Sequence, residues 1–304
     1  MRLLTRADFD GLACAALLRE FGVIDSWKFV HPKDMQDGKV EVTGNDVLAN
    51  IPYVPGCGMW FDHHSSETRR LDPSLIYNGA SRPADSAARV IYDYYMGDRR
   101  APRLAEMVAA VDRVDSAKLT LEEILDPAGW ILLGFIIDPR TGLGRFRDFR
   151  LANFEFIETL IDACRGQSIE QILASLDVLE RVKVYREQDG LFREMVKKVT
   201  RIDANVIISD LRGIGQIYAG NRFLIYGMYP EQNISLWVVD GRDKRNCSIA
   251  VGHSVLNRTS KTDVGALMLK YGGGGHKAVG TCQVPYGETD KVMAELIAKM
   301  KQDG

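Results

Sequence analysis

The sequence predicts an α/β protein: a mostly parallel sheet with helices on both faces, then a helical stretch, then a second and smaller α/β unit. Three observations lead there. Short apolar segments alternate with amphipathic helical patterns through the first 150 residues. Acidic residues gather where those segments end, at Asp8 with Asp10, at Asp62, and at Asp112 with Asp115. Residues 153–200 are almost all helix-compatible, and the texture beyond 200 turns to strands.

Residues 2–5 read as a first strand, Asp8 to Gly11 as a turn, and residues 12–18 as the start of an apolar helix. Strand, acidic turn and helix open a βαβ unit. Asp10 as a helix cap would explain one aspartate of the pair, not both. Residues 26–31 and 46–51 follow as strands, the latter stopped by Pro52, and 57–60 form a short buried strand. That strand runs into Phe61-Asp62-His63-His64, which sets one carboxylate and two imidazoles at the rim of the sheet. In open α/β sheets that rim is where ligands bind. Imidazole is the commonest metal ligand, and a neighbouring carboxylate fixes its tautomer.

Residues 84–96 and 104–111 are amphipathic helices, and 131–137 is an apolar run equally compatible with helix or strand. Ile169, Ile172, Leu173, Leu176, Leu179 and Val182 fall at helical spacing. They indicate a helical connector, with a dimerisation helix as the alternative. Strands are expected at 206–208, 216–219, 223–226, 234–239, 246–251 and 279–284, with helices at 263–271 and 289–301.

Gly272-Gly273-Gly274-Gly275-His276 interrupts the second unit. Four consecutive glycines cost backbone entropy, let a backbone approach a ligand closely, and can form an anion-binding nest. Arg242, Lys244 and Arg245 are expected to converge on the same anion.

Net charge is −2 over 304 residues, which implies no general affinity for nucleic acid. The charge is uneven, with 13 basic and 10 acidic residues from 200 onward against 26 and 31 before it. Cys14, Cys57, Cys164, Cys247 and Cys282 are scattered, odd in number and without a CxxC pair, which indicates reduced thiols and a cytoplasmic setting. The first strand begins almost at Met1, leaving no room for a signal peptide. No apolar run approaches the ~20 residues of a membrane span.

Asp8-Phe9-Asp10-Gly11, Phe61-Asp62-His63-His64, Asp112 with Asp115-Ser116, and Gly272 to His276 followed by Ala278-Val279-Gly280 together resemble the DHH phosphoesterase superfamily with its DHH-associated C-terminal domain. Within it the chain is most similar to exopolyphosphatase-related and oligoribonuclease-like members. The resemblance implies residues 1–150 as a metal-binding catalytic domain, 151–199 as connector and 200–304 as a substrate-binding domain, with the cleft between the domains. It implies two Mn2+ or Mg2+ ions. Asp8 would hold the first; Asp10, His63 and Asp112 the second, with Asp115 a further candidate. Asp62 would orient a ligand, and His64 would reach the substrate phosphate. Arg242 or Arg245, Gly273, Gly274, Gly275 and His276 would hold the substrate. Two cations roughly 3.5–4 Å apart clamp both the attacking and the leaving oxygen at phosphorus.

Two positions depart from the family. Relatives carry a histidine just upstream of the first aspartate pair, where this chain has Leu4 and Arg6, and a metal-bridging aspartate where it has Asn50. The first metal is therefore expected to bind weakly. The expected function is hydrolysis of a small phosphodiester or phosphoanhydride: a short oligonucleotide, pAp, a cyclic dinucleotide or polyphosphate. The alternative is a nucleotide-binding or sensing protein with impaired catalysis. No membrane partner is expected, and a homodimer stays open.

Overall fold

The computed structural model describes residues 1–64, 72 and 74–304. It holds two compact units, Met1–Lys118 with Asp126–Tyr185, and Leu119–Leu125 with Arg186–Gly304. The helical stretch is divided between them, 151–185 going with the first unit and 186–199 with the second.

The first unit is built on a five-stranded, wholly parallel sheet in the order β2-β1-β3-β4-β5. The strands are β1 (Arg2–Thr5), β2 (Ser26–Phe29), β3 (Asp46–Ala49), β4 (Met59–Asp62) and β5 (Gly79–Ser81). Alternation sorts their side chains onto two faces. Phe61 meets the rings of Tyr94 and Tyr95, so its face lies under helices α1 (Phe9–Glu20) and α2 (Ala87–Tyr94). Helices α3 (Ala105–Asp115) and α5 (Asn153–Gly166) pack onto α1, and α4 (Gly129–Ile137) packs onto α3.

Helices were expected on both faces. Among the described residues, the opposite face, with Leu4, Leu48 and Trp60, is covered by connections, through Val30, Val40, Val54 and Tyr77, and by Met35 of the short helix Pro32–Gln36. The ambiguous apolar run is a helix. All of α4 from Trp130 to Ile137 is buried, and Gly134 lets it sit against Phe9. A segment buried on every side carries no periodicity by which helix and strand could be told apart.

The second unit holds a six-stranded mixed sheet, order β10-β11-β9-β8-β7-β6, in which only β7 and β8 run parallel. These are β6 (Thr200–Asp203), β7 (Val206–Asp210), β8 (Ile234–Asp240), β9 (Asn246–His253), β10 (Gly274–His276) and β11 (Val279–Pro285). Alternate residues Cys247, Ile249 and Val251 of β9, and Cys282 and Val284 of β11, are buried with α6 (Val264–Leu269) and α7 (Thr289–Asp303).

Residues 216–219 and 223–226 are not strands. The former have no regular structure, and 224–228 is a single helical turn. Asn221 explains the turn: its Oδ1 accepts the Phe223 N–H at 2.9 Å and its amide donates to the Ile124 carbonyl at 3.2 Å. Strand-like composition is overridden there by side-chain-to-backbone bonding. Among the described residues, no helix is long and apolar enough to cross a membrane.

The glycine run is part of this sheet. A Cβ on Gly273 would lie 2.1 Å from the Thr281 carbonyl oxygen, and one on Gly275 2.2 Å from that of Val279, whereas one on Gly274 meets nothing within 4 Å. Gly273→Ala is therefore expected to destabilise the protein by about 1–3 kcal/mol, the scale of an overpacked site. Gly274→Ala should stay within about 1 kcal/mol, the intrinsic glycine–alanine difference. Urea unfolding midpoints of the two variants check this contrast.

Candidate metal centre

The centre sits at the carboxyl ends of β1, β3 and β4, in the crevice where the strand order reverses between β1 and β3. Asp8 caps α1: its Oδ1 accepts the Gly11 N–H at 3.0 Å. Asp10, in the first turn of the helix and buried, accepts the Ala87 and Ala88 N–H groups at 2.9 and 2.8 Å. Its carboxylate thus serves the unpaired donors at the start of α2. Asp62 ends β4, and His63 and His64 follow it.

The decisive hydrogen bond is made by His63. Its Nδ1 lies 3.1 Å from the carbonyl oxygen of Ala84. A carbonyl only accepts, so Nδ1 carries the proton and the lone pair of a neutral ring is on Nε2. That atom faces two carboxylates, Asp115 Oδ2 at 3.2 Å and Asp10 Oδ2 at 3.8 Å. One ligand atom from each of Asp10, His63 and Asp115 lies within 4.8 Å of the others. Nε2 of His63 is buried with no hydrogen-bond partner among the described residues. Three acceptors converging on one point, one of them orphaned, fit a cation. The donor set of two carboxylates and one imidazole suits a hard or borderline divalent ion.

Asp112 is not brought to this cluster. Its Oδ1 accepts the Ser86 hydroxyl at 2.6 Å, and its Oδ2 accepts Arg89 Nε and Nη2 at 2.9 and 2.7 Å. It braces the start of α2, where Ser86 is the cap. Asp115, one turn further along α3, occupies the place by His63. Spacing along one helix face does not say which of two acids reaches the sheet.

The Asp8 side has a different character. Its Oδ1 also accepts the Asn50 amide at 3.1 Å, and Arg6 Nε pairs with its Oδ2 at 3.0 Å. Asn50 takes a left-handed backbone (φ 57°), which asparagine tolerates, and it hangs from β4 by its N–H on the Phe61 carbonyl at 3.1 Å. Asn50 thus does lie beside Asp8, with its own Oδ1 buried and unpaired among the described residues. Leu4 points away into the core. Both Asp8 oxygens are already met by protein donors, one of them a guanidinium that would compete with a second cation here.

His64 Nδ1 donates to the wholly buried Asp62 at 2.8 Å. Burial alone would lower the pKa of His64. The hydrogen bond and charge of Asp62, with Asp115 and Asp10 nearby, outweigh that and raise it. Arg140, held by Asp138 at 2.8 Å, borders the small void shared by Asp8, Asp10 and Asp115.

In the second unit, the expected anion-binding residues do not converge. Asn246 pairs with Pro285 and Ala250 with Thr281, the partner of Gly274, so Arg242 and Arg245, in the turn before β9, lie roughly 15–20 Å from the glycine run. Arg242 is almost fully exposed, and His276 is exposed on the edge strand β10. Through β11, Ala250 and Val251 are level with Gly274 and Gly275, and His253, one residue past the position level with His276, donates its N–H to the Ala278 carbonyl at 2.8 Å. The sequence pattern predicts that strand only as far as Val251, and it extends to His253. Two more residues of alternation would have included His253.

The whole chain superposes on a pGpG-specific phosphodiesterase, PggH, from Vibrio cholerae, with TM-score 0.89 and 46% identity over 100% of this chain and 99% of that one. The chain belongs to the DHH phosphoesterase superfamily. As a member, it is a phosphoesterase-type hydrolase by family, the class expected from the motifs. Two further structures share the fold at low identity. A DHH domain from a member of a family of ribosomal proteins gives TM-score 0.56 and 13% identity over 98% of this chain and 87% of that one. RecJ from Thermus thermophilus in complex with Mn2+ gives 0.55 and 12% over 99% and 52%. No family model and no curated protein matches the chain.

Burial and the charge of Asp115 push the Asp10 carboxyl up to about 7, above the ~3.9 of an unfolded aspartate. A raised folded pKa gives stability that is complete below the unfolded pKa and lost as pH climbs through the folded one. In EDTA, the stability of wild type relative to Asp10→Asn is therefore expected to fall between about pH 4 and pH 7. Added Mn2+ should reverse the loss. Unfolding midpoints across that window, with and without the ion, check both.

Proposed function

We propose that the chain is a metal-dependent phosphodiesterase that cleaves a short linear dinucleotide of the pGpG type into two nucleoside 5′-monophosphates. The observation that carries this is full-length likeness at 46% identity to a pGpG-specific phosphodiesterase, together with a cation-fitting cluster at the strand ends. Asp10, His63 and Asp115 hold one divalent ion, with Mn2+ favoured over Mg2+ by its imidazole ligand. When bound, the ion supplies Lewis acidity to the phosphate oxygens and makes water a better nucleophile at neutral pH.

The chain's own groups do the rest. His63 is aimed by its bond to Ala84. Asp62 holds the His64 ring and favours its protonated form. Nε2 of His64, on a partly exposed ring, then donates a proton to the leaving 3′ oxygen as water attacks phosphorus and the P–O3′ bond breaks. Arg6, paired with Asp8, stands as a fixed positive charge on the side where family members place another ion. His276 and Gly274 are retained as substrate contacts of the second unit. Arg242 and Arg245 are too far along the sheet to share that anion.

Purified protein is expected to convert pGpG to GMP with added Mn2+ and to stop in EDTA, as read by chromatography of the products. His63→Ala should lose metal-dependent turnover. His276→Ala should lose a charge-assisted hydrogen bond, about 1.5–3 kcal/mol, seen as a rise in KM of roughly 10- to 150-fold. A wild type inert towards pGpG at saturating Mn2+ removes this reading.

Calorimetric titration is expected to show one tight Mn2+ per chain. Arg6→His combined with Asn50→Asp should create a second binding event. Two tight ions on wild type would refute the single-ion arrangement.

A further inference from the structure

Beside Asp8, on the side away from His63, the first unit contains a cavity of about 1070 Å³. That is the size of a cavity able to enclose a small ligand. It opens at the carboxyl ends of β1 and β2, so its wall runs from Arg6 and Asp8 to Phe29 and His31. Nothing in the cation cluster uses it.

Its lining combines two properties. The first is charge: six Arg and Lys side chains face three Asp. Arg6 and Arg140 are committed to Asp8 and Asp138. Lys28 and Arg147 form no ion pair among the described residues, so their charge is available to an anion. The second is aromatic. Phe154 stacks on Phe29 with ring centroids 6.2 Å apart and planes 15° from parallel. The residue remains 61% exposed. A large aromatic ring left open inside a basic cavity is a stacking platform of the kind that single-stranded nucleic-acid sites use.

We propose that this cavity is a nucleoside 5′-phosphate subsite: a base stacks on Phe154, and the attached phosphate meets Lys28 and Arg147. The proposal rests on the phosphodiesterase reading and adds to it a place for one half of the dinucleotide. Its position against Asp8 fits that role, because a scissile phosphate at the cation cluster leaves the neighbouring nucleoside to lie along the strand ends. A bare phosphate or polyphosphate would use the cations but not the ring. A stacked base uses both.

The test is steady-state hydrolysis of pGpG and of bis-p-nitrophenyl phosphate by the full chain and by Phe154→Ala, Phe154→Trp and the double variant Lys28→Ala with Arg147→Ala. The expected result for Phe154→Ala is a KM for pGpG raised roughly 5- to 150-fold, the scale of one lost base stack. The ratio of kcat/KM for pGpG to that for bis-p-nitrophenyl phosphate should fall by the same factor. Phe154→Trp should restore both. In the double variant, removing the 5′-phosphate from the substrate should raise KM by a smaller factor than it does in wild type. Unchanged KM and unchanged ratio in Phe154→Ala, with wild type cleaving pGpG, overturn the subsite while the phosphodiesterase reading stands. If wild type does not cleave pGpG, that reading fails. Equilibrium binding of GMP in EDTA then decides the subsite alone: weaker binding by Phe154→Ala upholds it, and equal binding overturns it.

Discussion

The hydrogen bond from His63 Nδ1 to the Ala84 carbonyl is the constraint on which the site depends. It turns Nε2 inward, towards Asp10 and Asp115, and leaves three acceptors facing one another. Such a group is unfavourable in an apolar interior unless something positive joins it. The fold restrains each member separately: Asp10 by the amides opening α2, His63 by the end of β4, and Asp115 by α3. Asp112 secures the arrangement from outside, through Ser86 and Arg89. Local repulsion is thus held in place by the packing of a whole unit, and a cation bound there would relieve it.

The Asp8 side resolves the same charge problem with side chains. Unit charges 4 Å apart interact by about 4 kcal/mol at an effective dielectric near 20, so two dications at that spacing repel by roughly 16 kcal/mol. A bridging carboxylate offsets much of this; the neutral amide of Asn50 does not. Arg6 brings one positive charge on a tether instead of two from solution. In the proposed single-ion arrangement, that guanidinium would stand in for a second ion.

The glycine run shows how one sequence feature can have two causes. Gly273 and Gly275 are fixed by the close approach of β11, and Gly274 is sterically free. An anion-binding account needs only the free position and the edge location of β10. The steric account explains why glycine stands at the flanking two.

The sequence by itself determined the class of fold, the parallel first sheet, and the strand-end location of Asp8, Asp10, Asp62 and His63. These follow from local rules: alternation, capping, and the placing of polar groups where apolar strands stop. Three things only the tertiary structure decided. It set Asp115 rather than Asp112 beside His63, since two acids a turn apart on one helix are equivalent until the helix is docked. It separated Arg242 and Arg245 from the glycines, since strand register, not sequence distance, sets which residues are level. And it assembled Phe29, Arg147 and Phe154 at one cavity, because β2 and the start of α5 are far apart in the chain and meet only when α5 packs on α1.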